Sequence, residues 1–241
     1  MKLVSWNCKC GFTGKKVEFI KKYNADLYII QECCEKDFEN NTFINKTFFC
    51  DTIDSKYGVG LFSDKYDFQI LPEHNVKFRY IIPYRIFNED SNFVLFSVWT
   101  KEYDINKNKI EYTEQTWNAI NFENYQKYLN GSIILVGDFN SNNFWDKNYI
   151  ADKVHSHNNI IDKLKEYSIE SAYHKSNNCK NGDENDPTLL WQMNIDKKYH
   201  IDYCFISKDF KINNINIGSL DEWNENKLSD HCPLIIEIEK Y

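Results

Sequence analysis

The stretch Ser132-Ile133-Ile134-Leu135-Val136-Gly137-Asp138-Phe139-Asn140-Ser141 decides how this chain is read. An apolar, β-branched run bounded by Gly131 and Gly137 reads as a fully buried strand. In open α/β sheets ligands gather beyond the carboxyl ends of strands, which puts Asp138 and Asn140 at a rim. With Phe139 turned to the interior, strand alternation lets Asp138 and Asn140 point together to the other side. Taken alone, the stretch is equally an ordinary strand closed by an Asp-Asn turn. The surrounding chain decides between the two.

Upstream, Lys2 to Asn7 alternates apolar and polar residues and ends in an amide. Val17, Ile20 and Tyr23 follow at helical spacing, and Asp26 to Glu32 is a second apolar strand ending in a carboxylate. Strand, helix, strand is a βαβ unit, so the two strands run parallel and bring Asn7 and Glu32 to one rim. Tyr57–Phe62, Phe68–Leu71, Arg79–Phe87 and Phe93–Trp99 read as an antiparallel meander. A helix is expected from about Thr113 to Asn130 and another from Ile160 to Tyr167. His200–Ile206 is a strand carrying Asp202, and Ser229-Asp230-His231-Cys232-Pro233 leads into a last strand, Leu234–Ile238. The pattern predicts an α/β (α+β) chain: two sheets packed face to face and flanked by helices, in a single domain over residues 1–241. No linker or internal repeat divides it.

Composition narrows the partners. The net charge is -7 and the pI about 5.4, a poor surface for sequence-independent grip on long duplexes. A phosphate-bearing substrate stays open, because a bound divalent cation inverts the local field. Only Arg79 and Arg85 are arginines, so lysine must supply most positive charge. The eight cysteines form no C-x-x-C pair and read as buried thiols of a reducing cytoplasm. A zinc site from Cys8, Cys10, Cys33 and Cys34 has the wrong spacings. No apolar run has membrane-spanning length.

The polar groups at strand ends are Asn7, Glu32, Asp138, Asn140, Asp202, Asp230 and His231. If they converge, four carboxylates share one cleft, and two such charges about 4 Å apart repel by roughly 4 kcal/mol at an effective dielectric of 20. Such a cluster needs a cation, and oxygen donors favour Mg²⁺ or Mn²⁺ over zinc. A lone histidine beside carboxylates is equipped for proton transfer or phosphate stabilisation, with an acid to fix its tautomer.

Trp6-Asn7, Gln31-Glu32, Gly137-Asp138-Phe139-Asn140, Ile201-Asp202-Tyr203 and Ser229-Asp230-His231-Cys232-Pro233 resemble, in order and spacing, the endonuclease/exonuclease/phosphatase (DNase I-like) superfamily. The resemblance runs from residue 3 to 238 and implies a four-layer α/β sandwich with its site at the top edge of two sheets. It also implies that Glu32 is the main Mg²⁺ ligand, with Asn7 and Asp230 near the metal. Asp138 matches the residue that orients or deprotonates the attacking water, and Asn140 a donor to a phosphate oxygen. His231 matches the histidine on the scissile phosphate, and Asp202 the acid that orients it. The implied chemistry is in-line attack of water on phosphorus.

One departure bears on the substrate. Several branches of the superfamily carry a second histidine in an Asn-x-His setting, where this chain has Ser97-Val98-Trp99-Thr100-Lys101. Arg85, Lys101 or Asn118 are candidates for its phosphate contact. Tyr199, three residues before Asp202, stands where abasic-site enzymes place an aromatic of the sugar pocket, or is a surface aromatic at a strand end. His155 and His157 read as solvated, His74 and His174 as lacking an acidic partner, and Asp183, Glu184 and Asp186 as a solvated loop. The leading expectation is a Mg²⁺-dependent nuclease acting on DNA, monomeric, cytoplasmic and free of membranes. A second keeps the chemistry on a small phosphoester such as a nucleotide, sugar phosphate or lipid head group. A third, an inactive binding module of the same fold, has no need of clustered, repelling carboxylates.

Overall fold

Strand alternation sorts the apolar residues of this chain into three layers of core. The structure, a computed structural model, describes residues 1–51, 56–105, 108–150 and 153–241. Its first sheet is built from β1 (Lys2–Asn7), β2 (Leu27–Cys33), β3 (Asn45–Phe49), β4 (Gly58–Ser63), β15 (Phe210–Ile217) and β16 (Leu234–Lys240), in the order β15-β16-β1-β2-β4-β3. The second holds β5 (Asp67–Ile70), β6 (Ile81–Phe87), β7 (Asn92–Trp99), β10 (Ile133–Asp138), β11 (Ile169–Ser171) and β14 (Asp202–Ser207), in the order β11-β14-β10-β7-β6-β5. Leu3, Leu27 and Ile29 of one sheet meet Leu95, Ile134, Val136, Cys204 and Ile206 of the other. The alternate residues face outward onto helices. Val4, Trp6, Tyr28 and Ile30 pack with Ile20 of α1 (Lys15–Lys21). Ile133, Leu135 and Phe205 pack with residues of α3 (Tyr112–Ile120), α4 (Glu123–Leu129) and α6 (His157–Glu166). The result is the four-layer helix–sheet–sheet–helix sandwich expected.

Parity places the polar strand ends. Leu3, Ser5 and Asn7 share one side of β1; Ile134, Val136 and Asp138 share one side of β10; Cys204 and Ile206 share theirs with Asp202. All three polar residues therefore cap the open end of the core between the sheets. β1 and β2 are parallel with Asn7 opposite Gln31, as the βαβ reading requires. Gly137 (φ +144°) allows the last approach: a Cβ there would stand 1.9 Å from the Val98 carbonyl oxygen of β7.

Two expectations are corrected. The four strands of the supposed single meander divide between sheets, β4 pairing with β2 and β3 while β5, β6 and β7 form the meander proper. The turn is made by Ser63, whose hydroxyl donates to the Asp26 carbonyl and accepts the N–H groups of Lys65 and Tyr66. The helix expected from Thr113 to Asn130 is two. The Asn121 amide donates to the Trp117 carbonyl, and Phe122 turns extended (ψ 122°) to pack its ring against Phe78 and Tyr125. Shorter pieces went unanticipated: β8 (Tyr103–Ile105) pairs with β9 (Asn108–Ile110) and β12 (Leu189–Leu190) with β13 (Lys198–Tyr199). So did α2 (Glu35–Glu39), α5 (Asn143–Trp145), α7 (Ala172–Asn177) and α8 (Leu220–Asn226).

Candidate active site

Asp138 and Asp202 are cross-strand neighbours on β10 and β14, nearly sealed from solvent. Two carboxylates this close are tolerated only with compensating partners. Asp138 Oδ2 accepts the side-chain amides of Asn7 (3.0 Å) and Asn140 (2.9 Å), and Oδ1 accepts the Asn140 N–H (2.9 Å). Asp202 Oδ2 lies 2.9 Å from His231 Nδ1, which leaves Nε2 facing Asp138 Oδ2 at 3.9 Å. Burial and the Asp202 charge push the Asp138 carboxyl well above the usual carboxylate range, against the pull of His231 and the Asn7 hydrogen bond. Burial alone would lower the His231 pKa, but the carboxylates of Asp202 and Asp138 outweigh it, and the imidazole is held protonated through neutral pH.

Glu32 reaches the cluster through a backbone irregularity. Its parity along β2 points it away from the inter-sheet side, but a bulge interrupts the β2–β4 register between Gln31 and Cys33. At that bulge Glu32 has φ +59°, which turns its carboxylate back to the rim. There Oε1 accepts the Asn7 amide (3.1 Å) and Oε2 the Cys10 N–H (3.1 Å). The Asn7 amide thus bridges Glu32 and Asp138 across the two sheets, while its Oδ1 accepts the Lys9 N–H. Among the described residues, Asp138, Asp202 and His231 offer ligand atoms within 4.8 Å of one another. Carboxylate oxygens so arranged, with the half-exposed Glu32 one amide away, suit a hard divalent cation.

The remaining candidates sort by position. Both hydrogens of the Asn140 amide are committed, to Asp138 and to the Thr100 carbonyl (3.0 Å), so in this arrangement Asn140 braces the acid instead of offering a donor to phosphate. Asp230 lies beside His231, its Oδ2 held by Lys9 Nζ at 2.8 Å. Tyr199 packs against Trp145 (ring centroids 5.0 Å apart) and lines a cavity of about 460 Å³ with Asn142, Phe144, Asp186 and His200. That cavity adjoins the cluster, because Leu189, opposite Tyr199, bridges directly to His231. Lys101 follows Thr100 at the same rim. The structure does not bring Arg85 or Asn118 there. Arg85 is exposed on β6 opposite Val94, level with Ile133 at the far end of β10. Asn118 is exposed on α3 and lines a separate cavity with Lys77, Phe78 and Tyr103.

Several supporting residues were given no role by the sequence, although Trp6 and Ser229 lie within the motifs. Ser229 donates to the Asn7 carbonyl and accepts the His231 N–H, and Trp6 Nε1 donates to the His231 carbonyl. Thr188 Oγ1 accepts the N–H groups of both Ile201 and Asp202. Tyr112 sits close enough that the Asp138 charge, after burial and Glu102, helps push its hydroxyl up to about 12. The histidines expected to be bland are not solvated. His157 is buried against Tyr203, His155 contacts the Thr113 hydroxyl, and His174 Nε2 pairs with Glu184 at 2.8 Å. Glu184 therefore belongs to the packed structure, whereas Asp183 and Asp186 are exposed as expected, Asp186 accepting from the Tyr173 hydroxyl.

The profile of the Endonuclease/Exonuclease/phosphatase family matches residues 4–231. No curated protein matches the chain. Among solved structures, an AP endonuclease from Archaeoglobus fulgidus is similar at TM-score 0.68 and 15% identity, covering 99% of each chain. A mannosyl-6-phosphatase from Bacteroides thetaiotaomicron VPI-5482 is similar at TM-score 0.62 and 14% identity, again over 99% of each chain. The 3' phosphatase NExo from Neisseria, bound to a product DNA hairpin, is similar at TM-score 0.63 and 13% identity over 99% of each. At these identities the likeness is one of fold.

Proposed function

The chain belongs to the endonuclease/exonuclease/phosphatase family and is a phosphoester hydrolase, and we propose that it cleaves phosphodiesters of nucleic acid, DNA foremost, with Mg²⁺ as cofactor and Mn²⁺ as a substitute. The observation that carries this reading is the Asn7 amide joining Glu32 to Asp138 across the two sheets, beside an Asp202–His231 pair aimed at the same cleft. Asp138 is the base: it orients the attacking water and takes its proton as the water oxygen bonds to phosphorus and the opposite ester oxygen departs. Asn7 and Asn140 hold that carboxylate in place. Protonated His231, oriented by Asp202, donates from Nε2 to a non-bridging phosphate oxygen. Glu32, with Asn7 beside it, would hold Mg²⁺, which when bound supplies Lewis-acid charge for the phosphate and leaving oxygens. Support for nucleic acid comes from the adjoining cavity, where Tyr199 and the exposed Phe144 offer aromatic faces to a base or sugar. A cytoplasmic location agrees with eight cysteines that form no disulfide.

One observation favours the small-phosphoester reading. The same cavity is lined by Glu184, Asp186 and Asp196, and the net charge is -7. Plasmid, an abasic oligonucleotide and a small phosphodiester, each incubated with Mg²⁺ and with EDTA, separate the two readings. Cleavage of the DNA substrates with Mg²⁺ and none with EDTA is expected; cleavage of the small ester alone overturns the nuclease assignment. Asp138→Asn and His231→Ala should each lower the rate by about two orders of magnitude or more while the fold survives. Full activity in either variant refutes its role.

A further inference from the structure

The loop after β1 places a lysine where the cluster is expected to meet its metal. Lys9 (φ +50°), Cys10 (φ +61°) and Gly11 (φ +102°) are left-handed in succession, a conformation that non-glycine residues adopt only when surrounding contacts impose it. The contacts here are the site's own: the Lys9 N–H donates to Asn7 Oδ1, the Cys10 N–H to Glu32 Oε2 and the Gly11 N–H to the Glu32 carbonyl. Lys16 braces the loop from behind through the carbonyls of Cys8 and Lys9. The loop is therefore wrapped on Glu32, and its side chain at position 9 crosses the cleft to Asp230, with Nζ 2.8 Å from Oδ2. Lys9 keeps 40% of its side-chain exposure and Asp230 19%, so the pair forms the cleft's outer lip.

We propose that Lys9 is a built-in cation that takes Asp230 as its counter-ion, so that Asp230 is not a metal ligand and the chain binds a single divalent ion on the Glu32 side. This rests on the metal reading of the site given above. An ammonium within hydrogen-bond reach of Asp230 occupies one carboxylate oxygen and repels a divalent cation brought to the same place. His231, paired with Asp202, stands next in the chain to Asp230, so the ammonium also leaves a fixed positive charge near the phosphate whether or not metal is bound. Lys9 is a positioning residue: it decides how many ions the cleft accepts and which acid they meet.

The test is Mn²⁺ binding to the whole chain, read by electron paramagnetic resonance as stoichiometry and affinity, with no substrate present. Wild type should bind one Mn²⁺. Glu32→Gln should weaken it at least tenfold, and Asp230→Asn should change it less than threefold. Lys9→Met frees Asp230 and should admit a second Mn²⁺ or tighten the first at least fivefold. Its partly exposed position makes loss of folding no obstacle, which a thermal melt verifies. Equal losses in Glu32→Gln and Asp230→Asn, two ions in wild type, or no change in Lys9→Met each overturn the proposal while leaving the hydrolase reading in place. If Glu32→Gln binds Mn²⁺ as wild type does, the metal reading itself fails, and the proposal with it.

Discussion

His157 shows what a buried, neutral histidine does to stability. Its ring is 1% exposed at the start of α6, with Nδ1 at 2.9 Å from the Ser141 hydroxyl, and burial pulls its pKa down to about 3. In the unfolded chain the same imidazole titrates near 6.5. Above that pH neither state binds the proton and His157 contributes no pH dependence. Between about 6.5 and 3 only the unfolded state binds it, so stability falls with acidification by up to about 1.4 kcal/mol per pH unit from this group. Urea unfolding at pH 7.5, 6 and 5 should show His157→Asn losing less stability over that range than wild type. Parallel losses would mean the ring is not held neutral. Spacing alone could not reveal this residue, since His155-Ser156-His157 reads as polar loop and its burial comes from Tyr203, far along the chain.

At the scale of elements, the site depends on how β14 begins. Thr188 is fully buried, and its hydroxyl accepts two backbone N–H groups, those of Ile201 and Asp202. Its own N–H donates to the Tyr199 carbonyl and its carbonyl accepts from Cys232. One residue thus fixes the strand carrying Asp202 against the segment carrying His231. Thr188→Val keeps the shape but leaves two buried donors without an acceptor, and should cost about 2 kcal/mol or more in unfolding free energy. It should also lower kcat at least tenfold by loosening the Asp202–His231 pair; unchanged stability and rate would refute the coupling. The sequence made β2 and β10 legible as continuous apolar runs buried on both faces, β1 through its apolar–polar alternation and β16 through its apolar first half. It hid β15, Phe-Lys-Ile-Asn-Asn-Ile-Asn-Ile, because a register shift between Ile212 and Asn214 breaks its alternation. Glu32 was legible as a strand-end acid, but the bulge that aims it was not, and neither was Lys9, whose partner lies 221 residues away.

For the molecule as a whole, charge limits the grip on substrate. With a net charge of -7 and Arg85 at the opposite end of the second sheet, the cleft has only scattered lysines such as Lys9, Lys101 and Lys198 for phosphates. Each phosphate neutralised contributes a slope of about -0.7 to -0.9 in log affinity against log salt. For a DNA substrate, 1/KM measured from 50 to 200 mM salt should therefore fall with a slope of about -1 to -2. A slope of -5 or steeper would demand a basic track, which contradicts this expectation. No helix among the described residues is long and apolar enough to cross a membrane.

β1 lies between β2 and β16, with Leu3 opposite Ile236, so β1 is flanked on one side by a strand more than 220 residues away along the chain. Trp6 meets the carbonyl of His231, 225 positions further along the chain. Asn7 and Glu32 therefore meet His231 only when β16 has docked beside β1. Assembly of the site and completion of the first sheet are thus one event, and a chain in which β16 is undocked exposes an open apolar strand edge along β1.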